Sequence, residues 1–201
     1  MSGFEQEHKL TLKCLPDQKK FPIEVLNIWH LTSLEIIGGD FTYFPEDISI
    51  LRNLKKLSLV STKISKLPRE IFELPNLEYL SLKNNRISDL PDLYTNSSIK
   101  ELILSRNYLT SNQVEDFFQF FPDLYYLDLG NNFLNEIPEG LFCATHLRRL
   151  NLESNKLRTL PLKLKELKNL THLSINNNLF PEAEKDAIDK IFKLPHINGG
   201  R

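Results

Sequence analysis

The residue types that could carry covalent or proton-transfer chemistry are present in this chain but are not assembled for it. His8, His30, His146, His172 and His196 are scattered from end to end, without ligand spacing on any one element. No Gly-rich phosphate loop, H-E-x-x-H or C-x-x-C pair occurs, so the patterns that cradle phosphate, bind zinc or cycle thiols are missing. The expectation is no enzyme, no metal and no cofactor. What is left is recognition chemistry. Tyrosine and arginine are the side chains that interfaces concentrate at their centres. This chain places Tyr79, Tyr126, Arg106 and Arg149 at related positions, together with Ile37, Val60, Ile103 and Asp128.

The relation between them is a repeat. LYYLDLGNNFLNEIPEGLFCATH is followed directly by LRRLNLESNKLRTLPLKLKELKN. Leu124, Leu127, Leu129, Asn132, Leu134, Ile137, Pro138 and Leu141 thus recur 23 residues later as Leu147, Leu150, Leu152, Asn155, Leu157, Leu160, Pro161 and Leu164. A third pass opens at Leu170, Leu173, Ile175 and Asn178. The first, fourth, sixth and eleventh positions must face inward, and stacking the units lines them into apolar columns. Burying one such side chain is worth roughly 1.5–3 kcal/mol. The ninth position carries the chain out of its strand, and an asparagine there can both donate to and accept from neighbouring turns. Asn85, Asn107, Asn132, Asn155 and Asn178 are expected to form such a ladder, with Gly39 and Thr62 interrupting it and leaving the N-terminal third looser.

The pattern L-x-x-L-x-L-x-x-N-x-L with this period resembles the leucine-rich repeat family, in its 23-residue class with L-P-x-x-I/L on the far side. The resemblance implies an α/β solenoid: a horseshoe with a parallel sheet on its concave face. Mostly extended or 3-10 segments, plus one or two helices, would form the convex side. It implies a non-catalytic protein–protein interaction module that recognises its partner by the concave face; a cytoplasmic scaffold, acting as a monomer, is the expectation, since no secretory signal is visible. Alternatives of the same kind are a regulatory subunit of an enzyme such as a phosphatase, or a secreted bacterial protein acting on a host.

The repeat makes 1–201 one domain. Residues 1–30 read as an N-terminal capping unit, with Trp29 available to cover exposed apolar edge, 31–178 as repeats, and 179–201 as a C-terminal helical cap. Pro181 suits the first turn of that helix, and Ala183, Ala187, Ile188, Ile191 and Phe192 give it an apolar stripe. Its acidic start, and Lys190 and Lys193 at its end, suit the helix dipole. Residues 99–123 lack the Leu-Pro pair. Val114, Phe117, Phe118 and Phe121 fall at helical spacing there, which predicts a convex-side helix with Ser111 or Asn112 as its N-cap.

Positions three, five, seven and eight of each unit point away from the core, onto the open face. Position three reads Lys9, Ser33, Lys56, Tyr79, Glu101, Tyr126, Arg149 and His172. Ile103 and Asp128 stand at position five, Ile37 and Val60 at position seven, and Arg106 at position eight. Eight strands about 4.8 Å apart make a surface able to hold a standard interface of about 800 Å² per partner. Tyr79, Ile103 and Tyr126 are expected to form one binding group on successive strands, and Ile37 with Val60 a second.

Charge supports a protein partner. Lys56, Lys83, Arg106 and Arg149 alternate with Glu35, Glu101, Asp128 and Glu153, and the formal net charge is −1. A nucleic-acid stripe would be of one sign. No apolar stretch is long enough to span a bilayer, and MSGFEQEHKL lacks the basic and apolar regions of a secretory signal. Cys14 and Cys143 would sit at opposite ends of the solenoid, beyond the ~7 Å Cα reach of a disulfide.

Overall fold

The computed structural model describes residues 8–41, 43–191 and 196–198. Among these, nine strands run in chain order through one parallel sheet. They are β1 Lys9–Lys13, β2 Ser33–Ile37, β3 Lys56–Val60, β4 Tyr79–Ser81, β5 Glu101–Ile103, β6 Tyr126–Asp128, β7 Arg149–Asn151, β8 His172–Ser174 and β9 His196–Asn198. The register sets like positions side by side, so Leu57, Leu80, Leu102, Leu127, Leu150 and Leu173 form one row. All six are buried, as are Leu59, Leu82, Leu104, Leu129 and Leu152 in the next row. One continuous apolar core runs the length of the stack.

Between strands the chain returns through short 3-10 segments, and proline explains why. Pro22, Pro45, Pro68, Pro138 and Pro161 each stand immediately before one. The ring fixes φ near −65°. Each proline carbonyl then accepts the N–H three residues on, as Val25 bonds Pro22, Ile48 bonds Pro45 and Leu164 bonds Pro161. That i-to-i+3 bond defines the 3-10 turn. Strands pack more tightly than these segments, so the sheet lines the concave side of a solenoid horseshoe.

The asparagine ladder is present and is longer than expected. Asn155 accepts the Leu134 N–H at 3.0 Å and donates to the carbonyls of Leu129 and Leu152 at 2.9 and 3.1 Å. Asn107, Asn132 and Asn178 make the equivalent bonds at their turns, and Asn85 donates in the same way to Leu59 O and Leu82 O while its Oδ1 accepts from Thr62 N. Thr62 does not interrupt it. The Thr62 side chain is fully buried, and its hydroxyl and N–H both donate to Asn85 Oδ1, at 2.8 and 3.0 Å, which completes the first rung. Gly39 does break the row. Its φ is +98°, and a Cβ there would come within 2.7 Å of the buried Phe41 ring.

Three other expectations are corrected. Residues 111–121 do not form one helix: Ser111–Gln113 and Phe117–Phe120 are separate 3-10 segments. The winding rises about 2.0 Å per residue against 1.5 Å for an α-helix, so it crosses the back of the stack in fewer residues. Gly140 N donates to Glu115 O at 2.8 Å and pulls the intervening turn onto the next unit. Ser111 is not an N-cap. Its hydroxyl accepts from Asn135 N and Glu136 N at 3.1 Å and donates to Glu136 O at 2.8 Å. Trp29 covers no edge, being 63% exposed with its ring set edge-on to His30.

The tail is more than a helix. α1, Glu182–Ile191, is followed by β9, which pairs with β8. Glu184 Oε1 pins α1 to the preceding unit by accepting from Thr159 Oγ1 and Leu160 N at 2.8 and 3.1 Å. Ile188 is buried and Ala183 is exposed. Phe192 and Lys193 lie outside the described residues.

A second ladder runs along the opposite edge of the sheet. Asn53, Asn76, Ser98, His146 and Asn169 each bond a backbone carbonyl of the preceding unit. Because Pro122 O can only accept, the His146 Nδ1 at 2.9 Å donates. Asp123 occupies the equivalent place in its unit.

Removing a rung of the inner ladder strands buried groups. Asn155→Ala leaves the buried Leu134 N–H unpaired and takes one of two side-chain donors from each of the Leu129 and Leu152 carbonyls, and is expected to lower stability by about 1–3 kcal/mol. Thr62→Ala leaves Asn85 Oδ1 still bonded to Thr62 N and should cost less. Denaturant unfolding of the two variants measures the difference. Cys14 and Cys143 are free thiols, so thiol titration of denatured, unreduced protein should count two.

Candidate recognition surface

The open face is built by register. Tyr79, Glu101, Tyr126 and Arg149 stand side by side at position three of β4 to β7, and Ser81, Ile103, Asp128 and Asn151 at position five. Both tyrosines are half-buried, so each ring lies against the sheet with part of its surface left for a partner. Glu101, between them, accepts a hydrogen bond from the Tyr125 hydroxyl. Asp128 is nearly covered. Its Oδ1 accepts from Gly130 N at 3.0 Å and Asn151 Nδ2 at 2.7 Å. Gly130 makes room for this arrangement, because a Cβ there would sit 2.9 Å from Asn151 Nδ2 and 3.2 Å from Asp128 Oδ1.

Burial is the main force pushing the Tyr79 phenol above its ordinary range. A hydrogen bond with Ser81 opposes it, and Glu101 and Glu35 add to it. Tyr126 is raised by burial first and then by Asp128, with Arg149 opposing. Tyr125 is raised chiefly by its bond to Glu101. The tyrosines therefore present neutral hydroxyls in an acidic neighbourhood, with Arg149 exposed at its margin.

Of the eight residues expected to bind, five lie together: Tyr79, Ile103, Tyr126, Asp128 and Arg149. Ile103 differs from expectation, because it is only 8% exposed. It is floor to the surface. Ile37 and Val60 are register partners on β2 and β3, half-buried and apart from the tyrosine group. Arg106 is exposed at position eight, with φ +59° in the left-handed region. Tyr125, at position two, is a participant that the repeat rule passed over, since that position was read as neither core nor open face. Tyr108 and Phe133, one unit apart at position ten, stack 6.0 Å apart with Lys156 Nζ 4.7 Å above the Phe133 ring. Among the described residues no group of histidines, cysteines and carboxylates converges as a metal site, and no helix is long and apolar enough to cross a membrane.

A parallel sheet in chain order, an asparagine ladder and an open concave face define a repeat solenoid. The leucine rich repeat family profile matches residues 52–109, 97–157 and 122–180, and the chain belongs to that family. It is 32% identical over 101 residues to a probable disease resistance protein of Arabidopsis thaliana, covering 50% of this chain and 11% of that one. Among solved structures it is similar to a leucine-rich repeat protein of Leptospira interrogans, at 30% identity and TM-score 0.67, covering 93% of this chain and 54% of the other. The structure of a TLR13–ssRNA13 complex matches at 27% identity and TM-score 0.78, with 96% and 28% covered. The chain thus spans about a tenth of that plant relative's length and little more than half of the Leptospira chain.

The raised phenols tie stability to pH. Tyr79 and Tyr126 hold their protons more tightly folded than unfolded, where the pKa is near 10. Their contribution is whole below that value and is lost as pH rises through the higher folded pKa values. Unfolding measured from about pH 9 to 11 should show this decline. Tyr79→Phe with Tyr126→Phe should flatten it.

Proposed function

We propose that the chain is a non-catalytic recognition module that binds a protein partner through its concave face. Tyr79 and Tyr126 form the centre, with Glu101, Asp128 and Arg149 setting register by charge. The observation that carries this reading is the pair of half-buried tyrosines flanking Glu101 on the open sheet, outside the apolar core. Aromatic residues that already lose part of their hydration and little of their freedom are the side chains that dominate interface energetics. The mixture of signs supports a folded protein surface over a polyanion, since paired charges fix orientation and suppress wrong partners. Family membership supports the same class of activity, and the free thiols suit a reducing compartment.

Ile103 has a different part. It is buried in the floor, and Ile103→Ala should cost about 1.5–3 kcal/mol of stability. The tyrosine pair should separate cleanly from it. A partner is captured from the native source, identified by mass spectrometry and titrated against purified variants. Tyr79→Ala with Tyr126→Ala should leave the unfolding midpoint nearly in place and remove about 2 kcal/mol or more of binding. Unchanged affinity for the captured partner would take the site off this face.

A further inference from the structure

The convex side carries a feature that arises from a mismatch between neighbouring units. Residues 77–98 form the shortest regular unit, and the unit that follows, 99–123, is the longest. Every other return path between strands carries a 3-10 segment or, between β8 and β9, the helix α1. Among the described residues, none lies between Arg69–Ile71 and Ser111–Gln113. Beneath the missing segment the core closes by reaching across it: Phe72 packs edge-on to Phe117 and Phe121, at 5.2 and 6.2 Å between ring centres. Above it, a groove of about 340 Å³ is left open, floored by Leu90, Leu93 and Phe117 and walled by Tyr94 and Phe120. Tyr94 is 70% exposed.

The groove carries Asp92, Glu115 and Asp116 and, among the described residues, no cation lines it. At Asn112 and Glu115 it meets a second cavity of about 440 Å³, which adds Glu136, Glu139 and Phe142 and again no cation. Glu115 is held in place by backbone and side chain together, since its carbonyl accepts Gly140 N at 2.8 Å and its Oε1 accepts Glu139 N at 3.2 Å. Burial, then Glu136 and Asp116, raise its proton affinity, so the furrow is short of positive charge. The carboxylates do not converge on a metal site, which leaves a cation spread along a chain.

The ends of the furrow show how such a cation would sit. Arg69 lies 5.5 Å over the Tyr94 ring. At the other end Lys163 pairs with Glu139 and lies 5.0 Å over the Phe142 ring. Both ends already hold basic side chains on an aromatic face, and the middle offers the same surroundings unfilled. We propose that this convex furrow is a second docking surface, independent of the concave one. Its occupant is a basic segment of a protein partner, in which lysines or arginines flank apolar side chains. The apolar residues would seat against Leu93 and Phe117, and the cations would meet Asp92, Glu115, Asp116 and Glu136.

The test is selection of random dodecapeptides displayed on phage against the full chain, followed by fluorescence anisotropy with the enriched peptides in synthetic form. Enriched peptides should combine Lys or Arg with apolar residues and weaken as ionic strength rises. They should lose about tenfold in affinity on the variant D92N, E115Q, D116N, E136Q, with its fold checked by circular dichroism. A control that removes as much charge elsewhere, E24Q, D47N, E166Q, D186N, should bind as the parent does. So should Tyr79→Ala with Tyr126→Ala, which keeps this outcome separate from that of the concave site. The proposal is overturned if the enriched peptides lack basic residues, if the furrow variant binds them unchanged, if the control loses as much, or if the tyrosine variant abolishes binding.

Discussion

No unit of this chain can satisfy its own backbone, and the rest of the structure follows from that constraint. At the ends of β3 to β8 the chain turns out of the sheet through a residue in the left-handed region. Ser61, Asn84, Arg106, Asn131, Ser154 and Asn177 all have φ between 56° and 59°. The turn leaves carbonyls and an N–H that no strand partner can reach, and the next asparagine bridges from its own unit to the one before it. A left-handed residue other than glycine is costly unless its surroundings hold it, and here the bridged turn does so. Stability is therefore a property of neighbouring pairs of units.

The ends illustrate the same point by exception. At the N-terminal side the ladder stops at Thr62, and rings take its place: Phe21 packs edge-on to Phe41 and Phe44, at 5.9 and 4.7 Å. Glycines at 38 and 39 allow this, because side chains there would strike Cys14 O and the Phe41 ring. At the C-terminal side Asn178 closes the ladder, and Glu184 of α1 takes up the free Leu160 N–H beyond it. Different chemistry closes each end of one repeating problem.

Much of the fold was legible in the sequence, because period and ladder are two readings of one rule. The strand register, the four inward columns and the outward positions follow from Leu and Asn spacing alone. What escaped was decided by tertiary context. Val114, Phe117, Phe118 and Phe121 satisfy α-helical and 3-10 spacing almost equally, and the return distance across the stack chose between them. Ile103 sits at an outward position yet is buried, since position fixes direction and leaves exposure to tertiary context. The outer ladder was missed because Asn53, Asn76, Ser98, His146 and Asn169 are chemically varied, and only their shared reach to a carbonyl unites them. The tyrosine group could be placed from sequence, whereas the link from Tyr125 to Glu101 needed the geometry of position two.

The two faces vary under different rules, which bears on how such a chain acquires contacts. On the sheet every residue is held in register, so length cannot change without breaking the ladder. Only side-chain identity is free, and neighbours about 4.8 Å apart must suit each other. Tyr79, Glu101 and Tyr126 form such a row. On the convex side the ladder does not pass, and residues can be gained or lost provided the core beneath is refilled. Phe72, Phe117 and Phe121 do that refilling where 77–98 falls short. Substitution shapes the inner face and change of length shapes the outer one. A groove with carboxylates along its rim is what a shortened unit beside a lengthened one leaves behind.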